Sequence, residues 1–172
     1  MPLIKDGRLA EDIWTAVDDD TPLPFGPAIV SLARWEAHRD ALAERNAPLG
    51  LLLPNDRPVE TVAADLAHFD VIALSFPKYA DGRAYSQARL LRERYGYRGE
   101  LRAVGNVLRD QFLFMHRCGF DAVSVPLDQT DAWRTALREI GVRYQPAGDS
   151  APTAMQLRGR GVAKPCAGEW AF

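Results

Sequence analysis

The stretch Val71-Ile72-Ala73-Leu74-Ser75-Phe76 is a nearly unbroken apolar run of strand length, and a polar loop follows it. Such a run, bounded by polar residues, is typical of a strand that is buried on both faces. After the loop, apolar side chains recur near the spacing of one helix face, at Ala84, Ala88, Leu91 and Tyr95. The stretch therefore predicts one strand–helix unit, the building block of α/β proteins.

The same alternation of apolar runs and helical segments occurs five times along the chain. The runs are Ala28–Val30, Leu49–Leu53, Val71–Phe76, Leu101–Val104 and Ala122–Val125. Sequential strand–helix units predict a parallel sheet flanked by helices. The order of the strands does not follow from this pattern, so a partial (β/α) barrel and a doubly wound sheet both remain open.

The two ends of the chain differ from this repeat. Residues Leu3–Leu9 predict a small hairpin, because Asp6-Gly7 supplies the positive φ angles of a tight turn. The segment Glu11–Pro27 is rich in Asp and Pro and is interpreted as an irregular lead-in. We expect a single α/β domain over residues 1–145 and an irregular tail over residues 146–172.

Composition narrows the class of protein. With 172 residues and 47% apolar residues the chain has the size and composition of one globular domain. It shows no signal peptide and no run long enough for a membrane helix, so we expect a cytoplasmic protein that does not enter membranes. A net charge of −2 argues against nucleic acid as a partner. The sequence does not indicate an oligomeric state.

Neither a metal site nor a cofactor site is predicted. The three histidines, His38, His68 and His116, lack the spacing of metal ligands, and the chain has no glycine-rich nucleotide motif. Cys118 is interpreted as a small buried thiol. Cys166, in the tail, is either an exposed thiol without a role or a group that contacts a partner.

Two loops hold most of the polar side chains that follow predicted strands. They are Ser75–Gln87 and Gly105–Gln111, and ligands in parallel α/β folds bind beyond the carboxyl ends of strands. Because the loops follow sequential strands, we expect them to be neighbours.

The residue types in these loops fit a small oxyanion. The candidate ligand-binding residues are Lys78, Arg83, Ser86, Asn106 and Arg109, and the candidates for proton transfer are Asp81 and Tyr85. A structural interpretation competes, because Asp81, Ser86 and Asn106 are also ordinary turn and helix-capping residues.

Several stretches resemble the bacterial DUF934 family. They include Leu3–Arg8, Ile29–Trp35, Asp81–Arg92 and Arg117–Ala122, and the resemblance covers roughly residues 1–145. The family has no known biochemical function and is often labelled a probable oxidoreductase of sulfite reduction, a label that rests on gene neighbourhood. The resemblance implies a place in sulfur assimilation, beside sulfite or nitrite reductase, and supplies no catalytic residues.

We therefore expect an accessory or scaffold protein of assimilatory sulfite reduction. It would bind a small oxyanion or the reductase through loops 75–87 and 105–111. The alternative is an enzyme acting on a small anionic metabolite, such as an oxidoreductase of sulfur assimilation. In a third hypothesis the tail, with Cys166, Trp170 and Phe172, contacts the partner.

Overall fold

The computed structural model describes residues 2–125, 129–137, 141–147 and 151–159. Its strands are β1 Leu3–Lys5, β2 Arg8–Ala10, β3 Thr15–Ala16, β4 Ala28–Ser31, β5 Leu49–Leu53, β6 Val71–Phe76, β7 Glu100–Gly105 and β8 Ala122–Ser124. They form one eight-stranded sheet in the order β2-β1-β8-β7-β6-β5-β4-β3.

The sheet is a mixed half-barrel. Strands β3 to β8 are parallel and lie in chain order, without the reversal that defines a doubly wound sheet. The prediction of an α/β fold is confirmed, and the doubly wound alternative is excluded. The prediction of a five-stranded parallel sheet is wrong, because β1 pairs antiparallel with β8 and β2 pairs antiparallel with β1.

The N-terminal hairpin is part of this sheet and not an appendage to the domain. Asp6 and Gly7 have φ angles of 50° and 72°, as the predicted tight turn requires. Ile4 pairs with Val123 of β8, and both side chains are fully buried. The hairpin therefore completes the core and covers the edge that β8 would otherwise expose.

The helices follow the parallel strands. They are α1 Leu32–Ala43, a 3₁₀ helix Val59–His68, α2 Arg83–Arg89 continued by a π-helical turn Leu90–Arg94, a 3₁₀ turn Arg109–Gln111 continued by α3 Phe112–Arg117, α4 Thr130–Ala136 and α5 Ala154–Gly159. The main core lies between the sheet and the helices from α1 to α4. Its largest buried side chains are Trp35, Phe76, Phe112, Phe120 and Trp133.

The other face of the sheet is covered in part by the segment that follows the hairpin. Trp14 packs on a small apolar cluster of Ile29, Val71 and Ala73. The Asp12 carboxylate receives two hydrogen bonds, of 2.9 and 2.8 Å, from Nη1 of Arg102, which is 3% exposed in the centre of the sheet. We call this side the open face. The segment predicted to be an irregular lead-in is therefore partly ordered by long-range contacts.

Part of the predicted irregular tail also has regular structure. α5 begins after Thr153, whose hydroxyl accepts a hydrogen bond from the Gln156 backbone N–H, while the Gln156 side chain accepts one from the Thr153 backbone. This reciprocal pair is a capping box, and it accounts for the start of the helix. Among the described residues no helix has the length and apolar character that a membrane crossing needs.

Candidate functional site

The loops after β5, β6 and β7 are joined to one another at the carboxyl edge of the sheet. The buried Gln87 of α2 donates hydrogen bonds of 2.8 and 2.7 Å to the carbonyl oxygens of Pro54 and Arg57, which lie in the loop after β5. The Asn55 backbone N–H donates to Oγ of Ser75, at 3.3 Å. The loop after β5 is thereby attached to the first of the two predicted site loops.

The two predicted site loops are neighbours, as their sequential positions suggested. Asn106 donates its side-chain amide to the Pro77 carbonyl oxygen at 2.7 Å and its backbone N–H to the Phe76 carbonyl oxygen at 2.8 Å. Gln111 donates its side-chain amide to the Tyr79 carbonyl oxygen at 3.0 Å. The Asn106 amide is therefore used to hold the loops together.

Gly105 permits this close approach. Its φ is +98°, and a Cβ atom at this position would lie 2.5 Å from the Phe76 carbonyl oxygen. Only glycine fits both requirements without strain, so the turn out of β7 depends on it.

Two of the predicted site residues form an ion pair with each other. The Arg83 guanidinium donates from Nε to Oδ1 of Asp81 at 2.9 Å and from Nη2 to Oδ2 at 2.6 Å. This pairing lowers the pKa of the Asp81 carboxyl, first through the hydrogen bond from Arg83. An oxyanion at the Nε–Nη2 edge of Arg83 would have to compete with the Asp81 carboxylate, which already binds that edge.

Tyr85, the second candidate for proton transfer, is part of an aromatic cluster. Its ring centroid lies 5.2 Å from that of Phe76 and 4.9 Å from that of Phe114. Burial raises the pKa of its hydroxyl to about 12. Tyr85 therefore packs the base of the loops and stays protonated near neutral pH.

The remaining candidates lie on different surfaces. Lys78 is exposed in the loop after β6. Ser86 lies on the outer side of α2, in a shallow depression with Arg89 and Glu93. Arg109 lines a cavity of about 310 Å³ on the side of α3. The structure thus does not gather the five predicted ligand-binding residues around one point.

The cavity beside Arg109 is lined by cationic and apolar groups. Its lining residues are Arg109, Asp110, Leu113, Phe114, Arg117, Ala136, Val142 and Arg143. The described lining therefore includes three arginines and one aspartate, although the whole chain is slightly acidic.

A second cavity, which the sequence did not indicate, lies on the open face. It has a volume of about 420 Å³ and combines apolar strand residues with Asp18, Asp19 and Ser31. Sequence reasoning missed it because residues 11–27 carry no periodicity. The useful signal was the run Asp18-Asp19-Asp20 shortly after Thr15-Ala16, which form β3.

The cysteines and the tail give a mixed outcome. Cys118 is a buried thiol, as predicted, and burial raises its pKa. Cys166, Trp170 and Phe172 lie outside the described residues, so the hypothesis of a tail that contacts a partner stays a prediction.

Fold and loops together define the class of this protein: a mixed α/β half-barrel with interlocked loops at the carboxyl edge of its parallel strands. Residues 50–155 match the model of a family described as "Bacterial protein of unknown function (DUF934)". Because this match covers more than half of the 172 residues, the chain belongs to the DUF934 family. A search of curated proteins finds no match, and a search of solved structures finds none either.

Proposed function

We propose that this protein is an accessory protein of sulfite reduction that binds a protein partner through its two interlocked loops. The loop-pair surface consists of Lys78, Tyr79, Leu108, Arg109 and Phe114. The observation that carries the proposal is the exposure of three large apolar side chains on the two joined loops and on the helix that follows the second loop: Tyr79 is 58% exposed, Leu108 43% and Phe114 55%. Exposed aromatic side chains beside arginine are typical of the centres of protein interfaces.

The rigidity of the loops supports partner binding. Loops that are already ordered lose little conformational entropy when a partner binds. The hydrogen bonds from Asn106 and Gln111 hold the Pro77 and Tyr79 backbones in place, and the turn at Gly105 fixes the start of the second loop.

Arginine side chains adjoin the loop-pair surface. Arg109, Arg117 and Arg143 line the cavity next to Phe114, and arginine is enriched at protein interfaces. The family resemblance points to sulfite or nitrite reductase, and we propose one of these enzymes as the partner.

Binding to purified reductases tests this proposal. We expect the full chain to bind immobilised sulfite or nitrite reductase, and we expect Tyr79→Ala and Arg109→Glu each to weaken binding at least about tenfold. Phe25→Ala is the matched control, because Phe25 is fully exposed and belongs to another loop. Circular dichroism verifies that each variant is folded. Failure of the wild type to bind either enzyme, or wild-type affinity in Tyr79→Ala, would contradict the proposal.

Our second proposal is that the protein binds a small oxyanion or is an enzyme acting on an anionic metabolite. The exposed Lys78 supports it, while the Asp81–Arg83 pair and the protonated Tyr85 favour the first one. Thermal shift with sulfite, sulfate and phosphate tests it. A rise in Tm in the wild type that is lost in Lys78→Ala would support anion binding, because a ligand that binds only the folded state stabilises it. No rise with any of the three anions would exclude it.

A further inference from the structure

The cavity on the open face is separate from the loop-pair surface and takes no part in the proposed function. Its volume of about 420 Å³ falls in the range of small-molecule sites, about 300–1,000 Å³. It lies toward the carboxyl ends of the parallel strands, which is where ligands bind in barrel-like α/β folds. All of its lining residues lie between residues 16 and 104, and the structure describes each of them.

Apolar side chains from four adjacent strands form the floor of this cavity. They are Ile29 of β4, Leu52 of β5, Ala73 of β6 and Val104 of β7. Leu52 and Ala73 are register partners, and the single methyl group of Ala73 leaves space beside the larger Leu52. A floor of this kind binds hydrocarbon and offers no hydrogen bonds to a polar ligand.

The rim of the cavity is acidic. Asp18 and Asp19 line it, together with Ser31, whose hydroxyl donates a hydrogen bond of 2.5 Å to Oδ1 of Asp19. The rim is also held in place: Arg34 donates from Nη1 to the carbonyl oxygens of Asp18 and Thr21, at 2.7 and 2.8 Å. The contacts from Arg34 use the backbone of the turn, and the exposed Asp18 and Asp19 are among the residues that line the cavity.

The basic groups near this face have other partners. Arg34 bonds to carbonyl oxygens, and Arg102 bonds to Asp12 and Glu100. Within residues 2–125, no ion pair to Asp18 or Asp19 is found. Arg34 keeps its positive charge, because its partners are neutral carbonyl oxygens, but Asp18, Asp19 and Asp20 outnumber it in this turn. The rim therefore carries net negative charge above an apolar floor, a combination that favours an organic cation over an anion.

We propose that this cavity binds a small organic amine, with its ammonium group at Asp18 and Asp19 and its hydrocarbon part on the floor formed by Leu52, Ala73 and Val104. Carboxylate acceptors form charge-assisted hydrogen bonds with an ammonium group, and the volume of about 420 Å³ leaves room for an alkyl chain on the floor. The site is independent of the loop-pair surface, so either proposal can fail without the other.

Isothermal titration calorimetry of the full chain with n-hexylamine tests the proposal, with hexanoate and hexanol as ligands of matched hydrocarbon length. The amine is expected to bind, and the two other ligands are expected to bind at least about tenfold more weakly. Asp18→Asn removes the charge of one carboxylate and is expected to weaken amine binding about tenfold. The turn should stay intact in this variant, because Arg34 binds the backbone carbonyl oxygen of Asp18. Asp20→Asn is the matched control, since Asp20 belongs to the same turn and does not line the cavity.

Three outcomes would overturn the proposal: no binding of the amine, equal binding of hexanoate, or an equal effect of Asp18→Asn and Asp20→Asn. A dimer whose formation buries the open face would also overturn it, because a second copy would then occupy the cavity. Size-exclusion chromatography of the wild type and Leu52→Glu detects this case, as the variant would become monomeric.

Discussion

The Asn106 side-chain amide donates a 2.7 Å hydrogen bond to the Pro77 carbonyl oxygen, which joins the loop after β7 to the loop after β6. The contact turns two sequential loops into one fixed surface. We expect Asn106→Ala to lower the free energy of unfolding by about 1 kcal/mol, the usual value for one such hydrogen bond. Amide exchange in residues 77–81 should become faster. Chemical denaturation and hydrogen exchange measure these effects, and Asn46→Ala, at an exposed position, should change neither.

The Asp81–Arg83 pair predicts a pH dependence. Because the pKa of Asp81 is lowered in the folded protein, its stabilising effect is present above the ordinary value of 3.8 and is lost as the pH falls below it. In Arg83→Ala, carbon-detected NMR titration should find the pKa of Asp81 shifted back up toward its ordinary value. Arg89→Ala, which removes an exposed pair with Glu93, should leave the pKa of Asp81 unchanged. An unchanged pKa in Arg83→Ala would show that the pair does not form in solution.

Tyr85 predicts a pH dependence at the alkaline end. Burial raises the pKa of its hydroxyl to about 12 from an ordinary value of 10.0, so its contribution to stability is complete below pH 10 and is lost as the pH rises toward 12. Tyr85→Phe cannot ionise and should unfold at a higher pH than the wild type. Ultraviolet titration of Tyr85→Phe should detect one phenolate fewer near pH 12 than in the wild type. Tyr144→Phe, which changes an exposed ring, should keep the group that ionises near pH 12. Ionisation of Tyr85 near pH 10 would contradict this account.

We expect substitution of Arg92 to cause a large loss of stability. Its guanidinium donates to the carbonyl oxygens of Gly119, Tyr97 and Gly99 and to the Asp121 carboxylate, at 2.6 to 3.0 Å. Arg92→Leu leaves these partly buried acceptors unsatisfied and should lower the free energy of unfolding by about 2–4 kcal/mol.

Arg89→Leu is the matched control for Arg92, because Arg89 lies three residues earlier and its pair with Glu93 is exposed. Its effect should stay within about 0.5 kcal/mol. Urea denaturation of both variants gives the comparison. Equal effects of the two substitutions would contradict the role of Arg92 as the residue that joins the π-helical turn after α2 to the turns before β7 and β8.

Local sequence patterns were sufficient for some features of the fold. Apolar runs such as Val71–Phe76 located the strands, and Asp6-Gly7 located the hairpin turn, because both depend on neighbouring residues only. The adjacency of the two loops followed from the sequential order of their strands.

Features that depend on distant residues were not predictable in this way. Asp12 and Arg102 are 90 residues apart, and the sequence around either residue does not indicate that the other is its partner. The buried Arg102 within an apolar run signals that a partner must exist, but not which one. The open face could not be predicted for a related reason. Strands that are buried on both faces have continuous apolar sequences, so the sequence does not distinguish one face of the sheet from the other.

The adjacency of the two candidate loops was predicted correctly, whereas the hydrogen bonds made by their side chains were not. The loops lie where expected, yet Asp81 and Arg83 bond to each other and Asn106 bonds to Pro77. Residue type alone does not reveal whether a polar group is satisfied within the protein, and this decides whether it is available to a ligand.

Hydrogen exchange of the full chain with and without purified reductase tests the central claim most directly. The account predicts slower exchange on binding in residues 77–81 and 107–114, which carry the loop-pair surface, and unchanged exchange in the β1–β2 hairpin. Protection confined to other segments, or no protection while the reductase is bound, would contradict the claim that the interlocked loops form the binding surface.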